Sequence, residues 1–140
     1  MASTPSDRNG EICVPVASDN DLVVARREGR ALAERLGLST SEATLVATAI
    51  SELARNIVSY AGRGEIHISL VQLGARPGIT IIARDQGPGI PDIDAAVRVG
   101  YSTSGGLGLG LPGVRRIMDE FHIASERGRG TTITITKWKR

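Results

Sequence analysis

Four short stretches of this chain carry side chains whose type and spacing could do chemistry. The first is SELARN, in which Glu52 and Asn56 stand four residues apart. On a helix that spacing stacks a carboxylate above an amide. At the edge of a buried stripe the pair could serve as a general base and a magnesium ligand; a hydrogen-bonded pair on a helix surface is the alternative. The second is ARDQGPGIP, where Asp85 ends the alternating row Ile79, Ile81, Ala83. A carboxylate on the covered side of a sheet needs partners. It could accept a hydrogen bond from an exocyclic amine such as adenine presents, with Gly87 and Gly89 admitting a flat ring, or it could cap a turn. The third is STSGGLGLGLPGV, in which Gly105, Gly106, Gly108 and Gly110 precede an apolar helical pattern. A glycine run there lets main-chain N–H groups approach a phosphate. The fourth is GRGTTITIT, where Thr131 shares strand parity with Ile133 and Ile135 and so points to the side that Asp85 faces. Ordinary β-branched strand chemistry accounts for the other threonines.

Two common phosphate sites are excluded by spacing and composition. Gly108, Gly110 and Gly113 spell a formal GxGxxG, but a polar segment, Tyr101 to Ser104, stands where a dinucleotide fingerprint needs a strand. A P-loop requires GxxxxGK[ST], and the chain's only lysines are Lys137 and Lys139. The same absence removes the strand lysine of ordinary protein kinases. A phosphate bound at the glycine run must therefore be held by peptide amides and the start of the helix, where Pro112 fits the first turn.

These residues need positioning elements, and the pattern supplies them. EICVPVA (11–17) reads as a strand, with Pro15 suited to an edge. Ser18 caps a helix whose face is Leu22, Ala25, Gly29, Leu32 and Leu36, and Gly37 closes it. Ser39 and Glu42 form a capping-box pattern for a second helix reaching Tyr60, with Val46, Ala49, Ile50, Leu53 and Ile57 inward. Strands are expected at 65–73 and 79–85, a short helical segment at 92–98, a third helix from Leu111 to Phe121, and closing strands near 121–126 and 131–138. The order βααββ(α)αββ, with short links between neighbouring strands, predicts a two-layer α+β sandwich. Its sheet is mixed but mostly antiparallel, with helices on one face.

Composition narrows the function classes. One domain is expected from 140 residues. Four aromatic residues and a net charge of +2 make no nucleic-acid stripe, and the basic Lys137-Trp138-Lys139-Arg140 reads as a solvated end. No apolar run reaches membrane-spanning length. The single cysteine, Cys13, sits among Ile12, Val14 and Val16 and reads as a buried strand thiol in a reducing compartment, hence the cytoplasm.

The order of the four motifs is more specific than any one of them. It resembles the Bergerat (GHKL) ATP-binding fold shared by gyrase-like ATPases, Hsp90-like chaperones, histidine kinases and anti-sigma kinases. Within that group the chain is similar to the RsbT-type serine/threonine switch kinases of the bacterial stressosome. The similarity spans about residues 11–138 and is densest in TAISELARNIVSYAG, ARDQGPGIPDI, GYSTSGGLGLGLPGV and RIMDEF. It implies ATP and Mg²⁺ as cofactors and a kinase domain over residues 11–140, after a disordered segment at 1–10. It further implies that Asp85 reads the adenine amine with Thr131 nearby, and that Gly87 and Gly89 shape the adenine floor. Asn56 would ligate Mg²⁺, while Gly106, Leu107, Gly108, Leu109 and Gly110 wrap the phosphates. Glu52 would be the catalytic base, and Arg55, Arg115 or Arg116 the cation facing the γ-phosphate. The implied substrates are STAS-domain scaffold and antagonist proteins, and the implied later partner is a PP2C-type phosphatase, with no nucleic acid or membrane involved. The chain departs from the sporulation anti-sigma kinases in its shorter lid, Ile90 to Ser104, and in Thr103-Ser104 where those have a charged residue. Alternatives of the same fold are a direct anti-sigma factor and a nucleotide-sensing adaptor without catalysis. A histidine-kinase module is disfavoured because His67 lies in a strand and His122 at a helix end.

Overall fold

The structure, a computed structural model, describes residues 6–8, 11–89, 110–126 and 128–140. Its chain order is β1 (Ser6–Arg8), β2 (Glu11–Val16), α1 (Asp19–Leu36), α2 (Thr40–Asn56), a π turn (Ile57–Ala61), β3 (Gly64–Leu73), β4 (Arg76–Asp85), α3 (Gly110–Ile117), β5 (Glu120–Glu126) and β6 (Gly130–Trp138). The six strands form one sheet in the order β1-β2-β3-β4-β6-β5. Every described pairing is antiparallel, so the expected mixed sheet is corrected to an antiparallel one. The α+β class stands. Two helices in succession return the chain to the sheet running opposite to β2, which makes the β2–β3 pairing antiparallel despite the long connection.

Local signals set the helix ends. Ser18 accepts from the Asp21 N–H, and Gly37, at φ 100°, closes α1 in the left-handed region. Ser39 and Glu42 complete a reciprocal capping box at the start of α2. The α1–α2 crossing is close because Gly29 carries no Cβ; one would lie 2.1 Å from Ile50 Cδ1.

One sheet face is covered and the other is open. Ile12, Val14, Val16, Ile66, Ile68, Ile79, Ile81, Ala83, Ile133 and Ile135 are buried under Leu22, Leu32, Val46, Ile50 and Leu53 of the helices. Leu111, Val114 and Met118 bring α3 into the same core. Burying each such side chain contributes roughly 1.5–3 kcal/mol before conformational entropy is counted. Leu70, on the same strand parity as the buried Ile66 and Ile68, is exposed, because it lies just past Ser69, where the pairing with β2 ends.

Four further expectations are corrected. Ser6–Arg8, read as part of a disordered end, pair with Glu11–Cys13. The third helix stops at Ile117, and Phe121 lies in β5. The basic end is not solvated throughout: Lys137 is 8% exposed and its Nζ donates to the Ile117 carbonyl at 3.0 Å, a cation at a helix C-terminus. The Trp138 N–H and indole Nε1–H donate to Asp119 and Glu120, each at 2.7 Å. Cys13, read as buried, is half-exposed on the open face, since strand parity opposes it to Ile12 and Val14. The segment expected to be helical at 92–98, and the short lid, lie outside the described residues.

Candidate active site

Glu52 lies on the inner face of α2 and is 5% exposed. Such a carboxylate needs compensation, and both of its oxygens receive it. The Gly110 N–H donates to Oε1 at 3.1 Å, and the Arg55 guanidinium donates to Oε2 at 2.7 Å. Gly110 is the first residue of α3 and has φ +65°, a conformation that favours glycine. The end of the glycine run is thus tied directly to the carboxylate of α2. Arg55, considered a cation for a phosphate, is instead engaged by Glu52. Arg115 and Arg116 stand exposed in the last turn of α3, away from its start.

Asn56 ends α2 half-buried, one turn beyond Glu52. The helix then changes character, because Ile57–Ala61 form a π turn where a continuous α-helix was expected. Such turns often sit at functional sites. This one lodges Ala61 against the loop after β4: a Cβ on Gly87 would fall 2.6 Å from Ala61 Cβ.

Asp85 ends β4, half-buried, on the covered parity. Its Oδ1 accepts the Gly87 N–H at 2.9 Å, so the turn-capping reading is realised with one oxygen, while Oδ2 is the second acceptor available to the carboxylate. In register beside Asp85 lies Thr131 of β6, 7% exposed, and beside Thr131 lies Ser125 of β5. The Ser125 and Thr131 hydroxyls meet at 2.9 Å, and Ser125 also donates to the Gly130 carbonyl at 3.1 Å. Asp85, Thr131 and Ser125 therefore make one polar row across three strands, at the end of the apolar rows.

The glycines around this row are packed against protein. A Cβ on Gly89, at φ +81°, would lie 2.4 Å from the Glu126 carbonyl oxygen. On Gly130, at φ +99°, it would lie 2.1 Å from the Asp85 carbonyl oxygen. Gly87 and Gly89 thus let the loop fold against the π turn and β5, which shapes whatever surface the loop presents. Sequence reasoning missed Ser125, Ala61 and Gly130. The glycine in GRGTT was a visible signal; Ser125 needed the strand register, which no local pattern supplies. Of the expected site residues, the structure gathers Glu52, Asn56 and Gly110 at one place and Asp85, Gly87, Gly89 and Thr131 at another, linked by the π turn. Gly106, Leu107, Gly108 and Leu109 lie outside the described residues.

The family model described as histidine kinase-, DNA gyrase B- and HSP90-like ATPase matches residues 41–140. The serine/threonine-protein kinase RsbT of Bacillus subtilis is 52% identical over 132 residues, covering 94% of this chain and 99% of that one. An anti-sigma F factor of Caldanaerobacter subterraneus is 30% identical over 118 residues, covering 81% and 82%. Among solved structures, the RsbU and RsbW domains of a Mycobacterium tuberculosis protein superpose with a TM-score of 0.60 at 20% identity, over 91% of this chain and 33% of that one. The mycobacterial sensor histidine kinase MprB superposes with a TM-score of 0.55 at 19% identity, over 90% and 97%. These two support the fold.

Proposed function

This chain belongs to the histidine kinase-, DNA gyrase B- and HSP90-like ATPase family and is a homologue of RsbT, and from that premise we propose that it is an ATP-dependent protein serine/threonine kinase. Its substrates are STAS-domain scaffold and antagonist proteins of a stressosome. Once released from them, it binds and activates a PP2C-type phosphatase, and it works in the cytoplasm.

The observation that carries the reading is the Glu52 carboxylate held at 3.1 Å by the first amide of α3. It puts a buried base beside the helix start to which a triphosphate would be directed. When bound, ATP supplies the transferable phosphoryl group and Mg²⁺ neutralises its charge. Asp85 keeps Oδ1 on Gly87 and offers Oδ2 to the adenine amine, with the Thr131 hydroxyl, steadied by Ser125, beside it. The Asn56 side-chain oxygen suits a hard cation. Since the Gly110 N–H is engaged by Glu52, the phosphate-wrapping role falls to the amides of Gly106, Leu107, Gly108 and Leu109. Glu52 takes the proton from the incoming serine or threonine hydroxyl as the new O–P bond forms and ADP leaves. Arg55 holds the Glu52 side chain in place for that transfer. Alignment and charge neutralisation supply most of the rate in such a reaction.

The test is incubation with labelled ATP, Mg²⁺ and a cognate STAS-domain protein, followed by mapping of the modified side chain. Label on a serine or threonine that disappears with Glu52→Gln, while nucleotide binding persists, is the expected result. Equal transfer by wild type and variant overturns the base assignment. The greater identity to RsbT than to the anti-sigma F factor favours the switch-kinase reading; recovery of a sigma factor in a pull-down would reverse that order.

A further inference from the structure

On the open face of the sheet, away from Glu52, three potential metal ligands converge. Cys13 of β2 and His67 of β3 are direct cross-strand partners, and Glu65 lies two residues before His67 on the same face. The Cys13 Sγ, a Glu65 carboxylate oxygen and the His67 Nε2 all lie within 4.8 Å of one another. Nε2 is 3.9 Å from Sγ and 2.9 Å from Glu65 Oε1. We propose that Cys13, Glu65 and His67 bind a divalent cation of the zinc class, with water in the fourth position.

The geometry favours a cation over the other chemistry these residue types suggest. A nucleophilic Cys–His–carboxylate relay needs thiol and carboxylate on opposite ring nitrogens. Here both approach Nε2, so the arrangement converges on a point instead of passing a proton along. Zinc bond lengths of about 2.0–2.3 Å in a tetrahedron place ligand atoms about 3.3–3.6 Å apart, a few tenths of an ångström from the two separations at His67 Nε2. The strand ladder fixes the three Cα positions, so only side-chain torsions need adjust. All three residues are half-buried, and Cys13 and His67 line a shallow cavity of about 310 Å³ together with Glu11, Ser69, Ile82 and Arg84, so an ion can enter without unfolding. Arg84 Nη1, 3.9 Å from Glu65 Oε1, balances that carboxylate and gives way when a cation arrives. Burial, and then the charge of Glu65, push the Cys13 thiol up. The metal-free cysteine is therefore not a reactive thiolate, and binding a cation releases its proton to solvent.

The chain has one cysteine, which makes the test specific. Titration of the full chain with Co²⁺, in excess Mg²⁺ to occupy a nucleotide-linked site, should produce a thiolate-to-cobalt charge-transfer band saturating at one ion per chain. Zn²⁺ should displace the band and protect Cys13 from alkylation. Because loss of an outer-shell partner alone weakens metal sites about 10–100-fold, Cys13→Ser should abolish the band and His67→Gln should weaken binding about 100-fold or more. Glu65→Gln should weaken it less, and His122→Gln should leave it unchanged. Circular dichroism checks that each variant is folded. Absence of a charge-transfer band at millimolar Co²⁺, or a band of undiminished affinity in His67→Gln, overturns the proposal.

Discussion

The two faces of the sheet share a backbone and differ in what their rows become. On the covered face of β4, Ile79, Ile81 and Ala83 are buried, and the row ends in Asp85 where the helices stop. On the open face, Thr80, Ile82 and Arg84 meet solvent and side chains from neighbouring strands. Thr80 and Thr136 share a hydroxyl contact at 3.0 Å, and Glu65 meets both His67 and Arg84. The covered face derives its stability from non-directional burial and confines directional chemistry to its rim. The open face is built from cross-strand pairs, each worth roughly 0.2–1 kcal/mol. Strand parity decides which regime a residue joins, so adjacent residues such as Ala83 and Arg84 have unrelated roles.

Substitutions on each face should separate these regimes. The largest effect is expected for Glu52→Gln, which should lower phosphotransfer about 10²–10⁴-fold with nucleotide affinity within a few-fold of wild type, read by single-turnover labelling beside calorimetry. Ile81→Ala removes a fully buried side chain and should lower unfolding free energy by about 2–5 kcal/mol in urea titrations. A loss below that range would mean that the covered face collapses around the gap. Asp85→Asn should weaken nucleotide binding by about 10–100-fold, the worth of a charge-assisted hydrogen bond, with stability little changed. A large stability loss instead would show that the carboxylate charge itself supports the fold there, since an asparagine Oδ1 can still accept the Gly87 N–H.

Thr80→Ala on the open face should cost about 1 kcal/mol, leaving the mostly buried Thr136 hydroxyl without its partner. The smallest effect concerns Cys13. Its folded-state pKa is raised, so its contribution to stability is full below the ordinary thiol range and is lost as pH rises through the folded value. Metal-free wild type should therefore lose stability, as pH rises above the ordinary thiol value of about 8.5, more steeply than Cys13→Ser. Parallel profiles would show that burial at Cys13 is energetically idle.

Much of this was legible locally. Ser18, Gly37, Ser39 and Glu42 announce helix ends because capping is a matter of residues within one turn of each other. The shared parity of Asp85 and Thr131 follows from counting by twos. What escaped depended on distance in sequence. Ser125 joins Thr131 only through strand register, and Lys137 is buried only because α3 ends above it. The glycines of the Asp85 loop could be read as room for a ligand, but their close neighbours, Ala61 and Glu126, come from other elements. Local pattern also gave no reason for IVSYA to leave the α-helix after Asn56; its residue types suit either winding.

The wider winding after Asn56 has a mechanical corollary. An α-helix advances about 100° per residue and a π turn less, roughly 80°, so rewinding Ile57–Ala61 as ordinary helix with no residue removed would turn its exit by about a quarter of a revolution. Ala61 would swing out from beneath Gly87, and the loop bearing Asp85 would lose its backstop, although neither Glu52 nor Asp85 had been touched. Forcing this bend back into α-helix should act like a gear slipped by one tooth: each half of the catalytic apparatus stays intact, and the two no longer mesh.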